Sequence, residues 1–93
     1  MELKFTELGH DEFAFRETEG DSVKAEITWT QMADLMVMEY TFVEENLRGQ
    51  GFAKQLLDHA AAYARDNQFK MQAVCSYVAE TFERSGEYDD IKA

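Results

Sequence analysis

The spacing of apolar residues changes once along this 93-residue chain, and that change restricts the fold more than any other feature. Before Val43 apolar and polar residues tend to alternate, most strictly over residues 23–30, as in half-buried β-strands. After Gly51 apolar residues recur at spacings of three and four, which is typical of one face of an α-helix. The chain is therefore predicted to form a sheet first and a helix that packs on it afterwards.

Turn residues divide the first half of the chain into four predicted strands. Residues 9–11 separate two short strands between positions 3 and 17, and residues 19–22 lead into the alternating strand that begins at Val23. In Leu35–Val43 apolar residues occur at both odd and even positions, which point to opposite faces of a strand. This pattern predicts a strand in the middle of the sheet with both of its faces covered.

The second half is predicted to contain a long helix, a short strand and a short helix. The long helix should end at residues 66–68, and the strand should occupy residues 70–75. The second helix should occupy roughly residues 77–84, with Ser76 as its cap, and residues 88–93 should fray. The predicted fold class is α/β (α+β), a mixed sheet of about five strands with two helices packed on it.

The acidity of the chain limits its possible partners. Nineteen acidic against nine basic residues give a formal charge of −10, which disfavours nucleic acids and anionic lipid surfaces. No apolar stretch approaches the ~20 residues of a membrane span, and residues 1–4 do not start a leader of basic then apolar residues. Cys75 is the only cysteine, which excludes an internal disulfide, and no zinc-ligand spacing is present. We therefore expect one soluble, cytoplasmic domain over residues 1–93 without a metal, nucleic-acid or membrane partner.

Two closely spaced glycines stand where the last buried strand meets the long helix. A helix start offers backbone N–H groups without intrahelical partners, and glycine lets a phosphate come close to them. A pyrophosphate suits such a turn, whereas the spacings of the dinucleotide and P-loop motifs are absent. An ordinary glycine-rich turn is the alternative reading. The candidate binding residues are Arg48, Gly49, Gln50, Gly51, Phe52, Ala53 and Lys54.

The placement of charges favours an anion site at this turn. Residues 46–57 contain no Asp or Glu but include Arg48 and Lys54, so we expect the local field to be positive in an acidic chain. The other acid-free stretch of comparable length, residues 67–79, contains Cys75. Chance placement of the acidic residues is the alternative.

Residues 48–53 resemble the cofactor signature of the GNAT N-acetyltransferases, Q/R-x-x-G-x-G/A, at every specified position, which here are Arg48, Gly51 and Ala53. Residues 82–86, with an aromatic residue four positions before a glycine, resemble a later element of that family. The whole chain is similar to an unusually short GNAT-like group that keeps the central strands and the cofactor helix. The N-terminal helices of larger members are missing from that group.

This resemblance implies a minimal GNAT-like fold and a function as an N-acetyltransferase. It implies acetyl-coenzyme A as acyl donor, held through its pyrophosphate at residues 48–54, and a small amine or peptide amine as acceptor. We expect a monomer or a weak homodimer. In larger members a tyrosine often protonates the leaving thiolate. Phe82 stands at that position and cannot donate a proton, so Tyr77 and Tyr40 are the alternative acids.

Cys75 is the candidate catalytic residue. If the second helix starts near Ser76, the positive end of that helix favours a thiolate at Cys75. Such a thiolate would accept the acetyl group or act as a general base. Short GNAT-like proteins that resemble this chain also have a cysteine at the end of this strand. A small buried packing residue is the alternative for Cys75.

A different function remains open for the protein as a whole. A non-catalytic module that binds acyl-coenzyme A, as a sensor or a regulatory subunit, is favoured by Phe82 and by the missing N-terminal helices.

Overall fold

The computed structural model describes residues 2–93 and contains one mixed sheet of five strands. The strands are β1 (Lys4–Gly9), β2 (Glu12–Glu19), β3 (Ser22–Met32), β4 (Leu35–Val43) and β5 (Lys70–Ala73). The helices are α1 (Phe52–Asn67) and α2 (Ser76–Arg84), and 3₁₀ turns occupy Glu45–Leu47 and Gly86–Tyr88. Strands β1 to β4 pair antiparallel in chain order, and β5 pairs parallel to β4. The predicted fold class is confirmed.

Each turn between the antiparallel strands contains one residue with a positive φ. These residues are Asp11 (φ 59°), Gly20 (φ 59°) and Ala33 (φ 55°). Glycine adopts this region freely and aspartate tolerates it, whereas alanine does so at a cost. The first two turns were therefore predictable from their residues, but nothing about Ala33 marks the third.

The hydrophobic core lies on one face of the sheet. Trp29, Ile27 and Ala25 of β3 are fully buried on that face. The buried residues of α1 and α2, which include Leu56, Leu57, Ala60, Val78 and Phe82, belong to the same cluster. Both helices therefore cover this face, and no helix within residues 2–93 covers the opposite one. No described helix has the length and apolar character needed to cross a membrane.

Strand β4 differs from its prediction in one respect. It lies inside the sheet between β3 and β5, as expected, but its two faces are not equally covered. Met36 and Met38 are buried, whereas Tyr40 is 50% exposed. The prediction of two covered faces was wrong because apolar residues on the outward face of β4 meet no helix from the described part of the chain.

The start of α2 also differs from its prediction. Strand β5 ends at Ala73, and α2 begins at Ser76, so Cys75 occupies the N-cap position. The Cys75 carbonyl accepts the first helical hydrogen bond, from the Ala79 N–H at 3.0 Å. Ser76 is therefore inside the helix and was wrongly predicted to cap it.

The C-terminal segment is packed rather than frayed. Tyr88 and Ile91 are 1% and 3% exposed. The Met71 N–H donates to the Ile91 carbonyl at 2.6 Å, and the Met71 carbonyl accepts from the Ala93 N–H at 2.9 Å. The prediction for residues 88–93 was wrong because this segment covers the outer edge of β5 and buries two large side chains.

Candidate active site

Strands β4 and β5 pair over only four residues and then separate. The pairing ends at Met38 and Ala73. The Met38 carbonyl accepts hydrogen bonds from the backbone N–H groups of both Val74 and Cys75, at 3.0 and 2.8 Å. Beyond this point β4 continues while the other chain segment turns into α2. We call this opening the fork; it is bordered by residues 39–43 and residues 74–77.

The turn between β4 and α1 has both of its glycines in the left-handed region. Gly49 and Gly51 have φ values of 80° and 79°. Gly51 is the N-cap of α1, and the first helical hydrogen bond runs from the Gln55 N–H to the Gly51 carbonyl at 3.1 Å. The amides of residues 52–54 therefore have no intrahelical acceptor. A Cβ built at either glycine would meet no atom within 4 Å, so the space above this turn is open to a ligand.

The two cations of this turn are held in different ways. The Arg48 Nε donates to the Val43 carbonyl at 3.0 Å, which leaves other guanidinium N–H groups available. The Lys54 Nζ lies 2.9 Å from the Asp58 carboxylate and 3.4 Å from that of Glu87. The hydrogen bond with Asp58 is the main cause that raises the pKa of Lys54. The predicted positive field does not hold at Lys54, because its two acidic partners lie outside the acid-free stretch.

Two adjoining depressions connect this turn with the fork. The smaller, of about 190 Å³, lies over the turn and is lined by six of the predicted binding residues: Arg48, Gly49, Gly51, Phe52, Ala53 and Lys54. The larger, of about 450 Å³, follows β4 from Val43 back to Tyr40 and has the volume of a small-molecule site. Gln50 lines neither one, and its side-chain amide donates to the Asn46 carbonyl at 3.4 Å.

Cys75 lies at the border between the core and the fork. Its side chain is half-buried and packs against the core. Its Sγ lies 3.4 Å from the Oγ1 of Thr41, which itself lines the larger depression. Sequence reasoning missed Thr41, since a threonine in a strand carries no chemical signal and its contact with Cys75 spans 34 positions.

The two candidate acids, Tyr77 and Tyr40, and the aromatic residue at the position of the usual acid, Phe82, lie in different surroundings. Tyr77 is half-buried and lines both depressions. Tyr40 lines the larger one and stacks on Phe42, with ring centroids 6.4 Å apart. Phe82 is only 7% exposed and packs against Tyr88 at a centroid distance of 5.4 Å, so it belongs to the core.

A polar network behind the turn joins α1 to the C-terminal segment. The buried Tyr88 donates its hydroxyl to the exposed Asp58 carboxylate, which also binds Lys54. Burial first, and then the hydrogen bond to Asp58, raise the pKa of Tyr88 to about 12. The first turns of α1, which include a predicted binding residue, are thus held by residues that were expected to fray.

Comparison with known proteins decides to which family the chain belongs. A model of the GCN5-related N-acetyltransferases matches residues 12–91. The chain belongs to the GCN5-related N-acetyltransferase family. The resemblance to the GNAT N-acetyltransferases is confirmed, and with it the expectation that the protein is an N-acetyltransferase.

Solved structures agree with this assignment. A GCN5-like protein from Staphylococcus aureus, determined by NMR, shares 29% identity over 99% of this chain and 89% of its own, with a TM-score of 0.72. Tetrahymena GCN5 shares 10% identity over 82% of this chain and 50% of its own, with a TM-score of 0.66. The ribosomal-protein-S18-alanine N-acetyltransferase from Escherichia coli shares 17% identity over 84% of this chain and 54% of its own, with a TM-score of 0.65.

These GNAT structures support different conclusions about the chain. The two larger enzymes show the fold alone, and this chain spans about half the length of each. The Staphylococcus aureus protein is matched over most of its length and supports the expectation of a short GNAT group. A comparison with curated proteins finds no match.

Proposed function

We propose that this GNAT domain transfers an acetyl group from acetyl-coenzyme A to a primary amine at the fork. One observation carries the proposal. An open helix start and an unpaired strand edge border one pair of adjoining depressions. The half-buried thiol of Cys75 lines neither depression but lies 3.4 Å from the Oγ1 of Thr41, which lines the larger one. The helix start can bind an anion, the strand edge can bind an extended chain such as the pantetheine arm of coenzyme A, and the thiol can act as a nucleophile.

The turn before α1 suits a pyrophosphate. The amides of residues 52–54 are the donors, and the open space at Gly49 and Gly51 allows a phosphate to approach them. Arg48 supplies a cation, and Gln50 shapes the turn through its bond to the Asn46 carbonyl. Lys54 would exchange part of its interaction with carboxylates for one with phosphate.

The edge of β4 beyond Met38 suits the pantetheine arm, which is extended and carries amide groups. Strand β5 pairs with β4 only as far as Met38, so residues 40–42 have no paired strand on the side of the fork. Their backbone groups can therefore bind an extended chain as a strand edge binds an added strand. When bound, acetyl-coenzyme A supplies the acyl group as a thioester. The residues that line this edge, Thr41 and Tyr77 among them, would exclude water from the arm.

Cys75 is the proposed nucleophile. The Thr41 hydroxyl lies 3.4 Å from the sulfur and can donate a hydrogen bond to it, and Cys75 is the N-cap residue of α2. The Cys75 thiolate forms a bond to the acetyl carbon, and the thioester bond to coenzyme A breaks. The sulfur of the released coenzyme A takes a proton from solvent. The amine then attacks the acetyl carbon, the bond to Sγ breaks, and the sulfur receives the proton that the amine loses.

The second candidate function is a binding module without catalysis. The observation in its favour is Phe82, which is buried against Tyr88 where a proton donor is often found in larger enzymes. Such a module would use the same turn and the same strand edge to hold an acyl-coenzyme A. It would need neither Cys75 nor an acceptor.

A single set of measurements separates these functions. The protein is titrated with acetyl-coenzyme A by calorimetry, and release of free thiol is followed with spermidine, butylamine or a peptide with one lysine. Cys75→Ala should bind acetyl-coenzyme A as the wild type does and lose transfer. Without an amine, mass spectrometry should find acetylated Cys75 in the wild type.

Each other outcome has a distinct meaning. Binding without transfer to any amine favours the binding module. Wild-type rates in Cys75→Ala would make Cys75 a packing residue and favour direct attack by the amine. Absence of binding rejects both functions. The expected monomer or weak homodimer stays a prediction.

A further inference from the structure

Lys54 is a predicted binding residue whose charge is already paired within the protein. Its Nζ lies 2.9 Å from the Asp58 carboxylate, and the two carboxylate oxygens of Glu87 lie 3.4 and 3.5 Å away. One ammonium group therefore stands between two carboxylates, so this cluster is negative overall. Lys54 also lines the depression over the turn before α1. A phosphate that approaches Lys54 from this depression is repelled by the excess negative charge.

The contact between Lys54 and Asp58 is the more firmly held of the two. Asp58 lies four positions after Lys54 in α1, and its carboxylate accepts a hydrogen bond from the buried Tyr88 hydroxyl. The distance to Asp58 is also shorter than either distance to Glu87. We therefore expect the pair of Lys54 and Asp58 to persist when a ligand binds.

Glu87 combines a fixed backbone with an exposed carboxylate. The Arg65 Nη2 donates to the Glu87 carbonyl at 2.8 Å, and the Glu87 N–H donates to the Ser85 Oγ at 3.2 Å. The side chain is 57% exposed, and its carboxylate contacts the Ser85 hydroxyl at 3.1 Å as well as Lys54. Exposed ion pairs of this kind contribute little stability. A ligand can therefore displace the Glu87 carboxylate without moving the backbone that carries it.

We infer that Glu87 is an internal competitor of the cofactor, whose carboxylate pairs with Lys54 until a phosphate group of acetyl-coenzyme A displaces it. This inference rests on the proposed function, in which the turn before α1 binds the pyrophosphate. Phosphate oxygens accept hydrogen bonds from an ammonium group as carboxylate oxygens do. Lys54 thus keeps Asp58 and exchanges Glu87 for phosphate. Glu87 lowers the affinity for the cofactor, although it lies outside the predicted binding segment.

Removal of the Glu87 charge tests this competition. Glu87→Gln keeps a side-chain oxygen that can accept from Ser85 and loses the negative charge. Calorimetry should show that this variant binds coenzyme A about threefold more tightly than the wild type, the size expected when one exposed ion pair no longer competes. The gain should be larger at low salt, where charges are screened less. Dephospho-coenzyme A, which lacks the 3′-phosphate, is titrated in parallel.

Asp89→Asn is the matched control. Asp89 is an exposed carboxylate that follows Glu87 by two positions, but its cationic partner is Lys92, at 2.8 Å. The variant removes the same charge from the same segment without changing the surroundings of Lys54. Its affinity for coenzyme A should stay within about 1.5-fold of the wild type, because solvent and salt screen an exposed charge away from Lys54.

A double variant distinguishes competition for Lys54 from general repulsion of the ligand. Lys54→Gln removes the ammonium group for which Glu87 and the phosphate compete. Adding Glu87→Gln to Lys54→Gln should therefore raise the affinity clearly less than Glu87→Gln does in the wild type. Equal gains in the two backgrounds would show that Glu87 acts only through its charge and not through Lys54.

Three results would overturn the inference: unchanged affinity in Glu87→Gln, an equal gain in Asp89→Asn, or an equal gain in the Lys54→Gln background. A gain with both coenzyme A and dephospho-coenzyme A supports exchange of Glu87 for the pyrophosphate. A gain with coenzyme A alone supports exchange for the 3′-phosphate.

Inorganic pyrophosphate separates failure of the inference from failure of the proposed function. It is titrated into ¹⁵N-labelled protein, and the amide shifts of residues 52–54 are followed by NMR. If pyrophosphate binds more tightly to Glu87→Gln but no form of coenzyme A binds, the inference holds and the proposed function is wrong. If coenzyme A and pyrophosphate bind to both proteins with equal affinity, the inference alone is wrong. If neither ligand binds, both are wrong.

Discussion

Adding a single methyl group at Gly51 tests whether the turn before α1 holds the pyrophosphate. Gly51→Ala places a Cβ in open space, so no protein atom is displaced. The variant has two effects, the strain of an alanine at φ 79° and an obstacle in the path of a ligand. Gly20→Ala separates them, because Gly20 also has a positive φ, 59°, and open space, but lies in the turn between β2 and β3.

The two effects differ in size. A left-handed alanine costs about 1–2 kcal/mol, so both variants should lose that much free energy of unfolding. For a chain of this length each kcal/mol lowers the Tm by about 4–8 °C. A domain stable by about 5–15 kcal/mol still remains folded, so strain alone leaves the ligand affinity nearly unchanged. Blocking one amide–phosphate hydrogen bond at Gly51 removes about 1.5–3 kcal/mol of binding free energy, a loss of about 10- to 150-fold in affinity.

Thermal denaturation and calorimetry with acetyl-coenzyme A measure the two effects separately. We expect similar decreases in Tm for both variants and a loss of affinity only for Gly51→Ala. Gly51→Val should abolish binding, although a β-branched residue at this φ adds more strain. If Gly51→Ala binds as tightly as Gly20→Ala, the pyrophosphate is held elsewhere and the assignment of this turn is wrong.

Arg48→Glu should weaken acetyl-coenzyme A binding, more strongly at low salt, because it replaces a cation of the turn by an anion. Calorimetry measures this affinity, with Arg84→Glu on α2 as the control. An equal loss in Arg84→Glu would argue against a local contact between Arg48 and the pyrophosphate. Thr41→Val should slow alkylation of Cys75 at neutral pH about tenfold, since it removes a hydrogen bond that favours the thiolate. Thr41→Ser keeps the hydroxyl and should restore the rate. Identical alkylation rates in the wild type and Thr41→Val would show that Thr41 does not act on the thiol. The raised pKa of Tyr88 favours its neutral hydroxyl in the folded state, so this stabilisation is complete below the ordinary value of about 10 and is lost as pH rises to about 12. Urea denaturation along this range should show a larger loss in the wild type and in Tyr40→Phe than in Tyr88→Phe, in which the raised pKa of Lys54 still contributes. Tyr88→Phe should be about 1 kcal/mol less stable at neutral pH; equal losses in the three proteins would contradict the assignment.

Local patterns in the sequence were sufficient for most of the architecture. The alternation in β3, the helical spacing in α1 and the turns at Asp11 and Gly20 depend on residues that are neighbours in the chain. These properties follow from steric preferences and spacing, so they can be read without knowing what packs against them. The family was indicated in a different way, by the resemblance of residues 48–53 to its cofactor signature.

Other features depend on contacts between distant segments, and only the tertiary structure decided them. Lys54 is paired with Asp58, four positions later in the same helix, and the tertiary structure adds Glu87 from 33 positions away. The contact of Thr41 with Cys75 and the packing of Tyr88 and Ile91 also join segments far apart in the chain. A bulge moves Glu39 out of register, and one face of the sheet carries no helix from residues 2–93. Register and layer packing arise from the balance of many contacts at once, so no local window of residues encodes them.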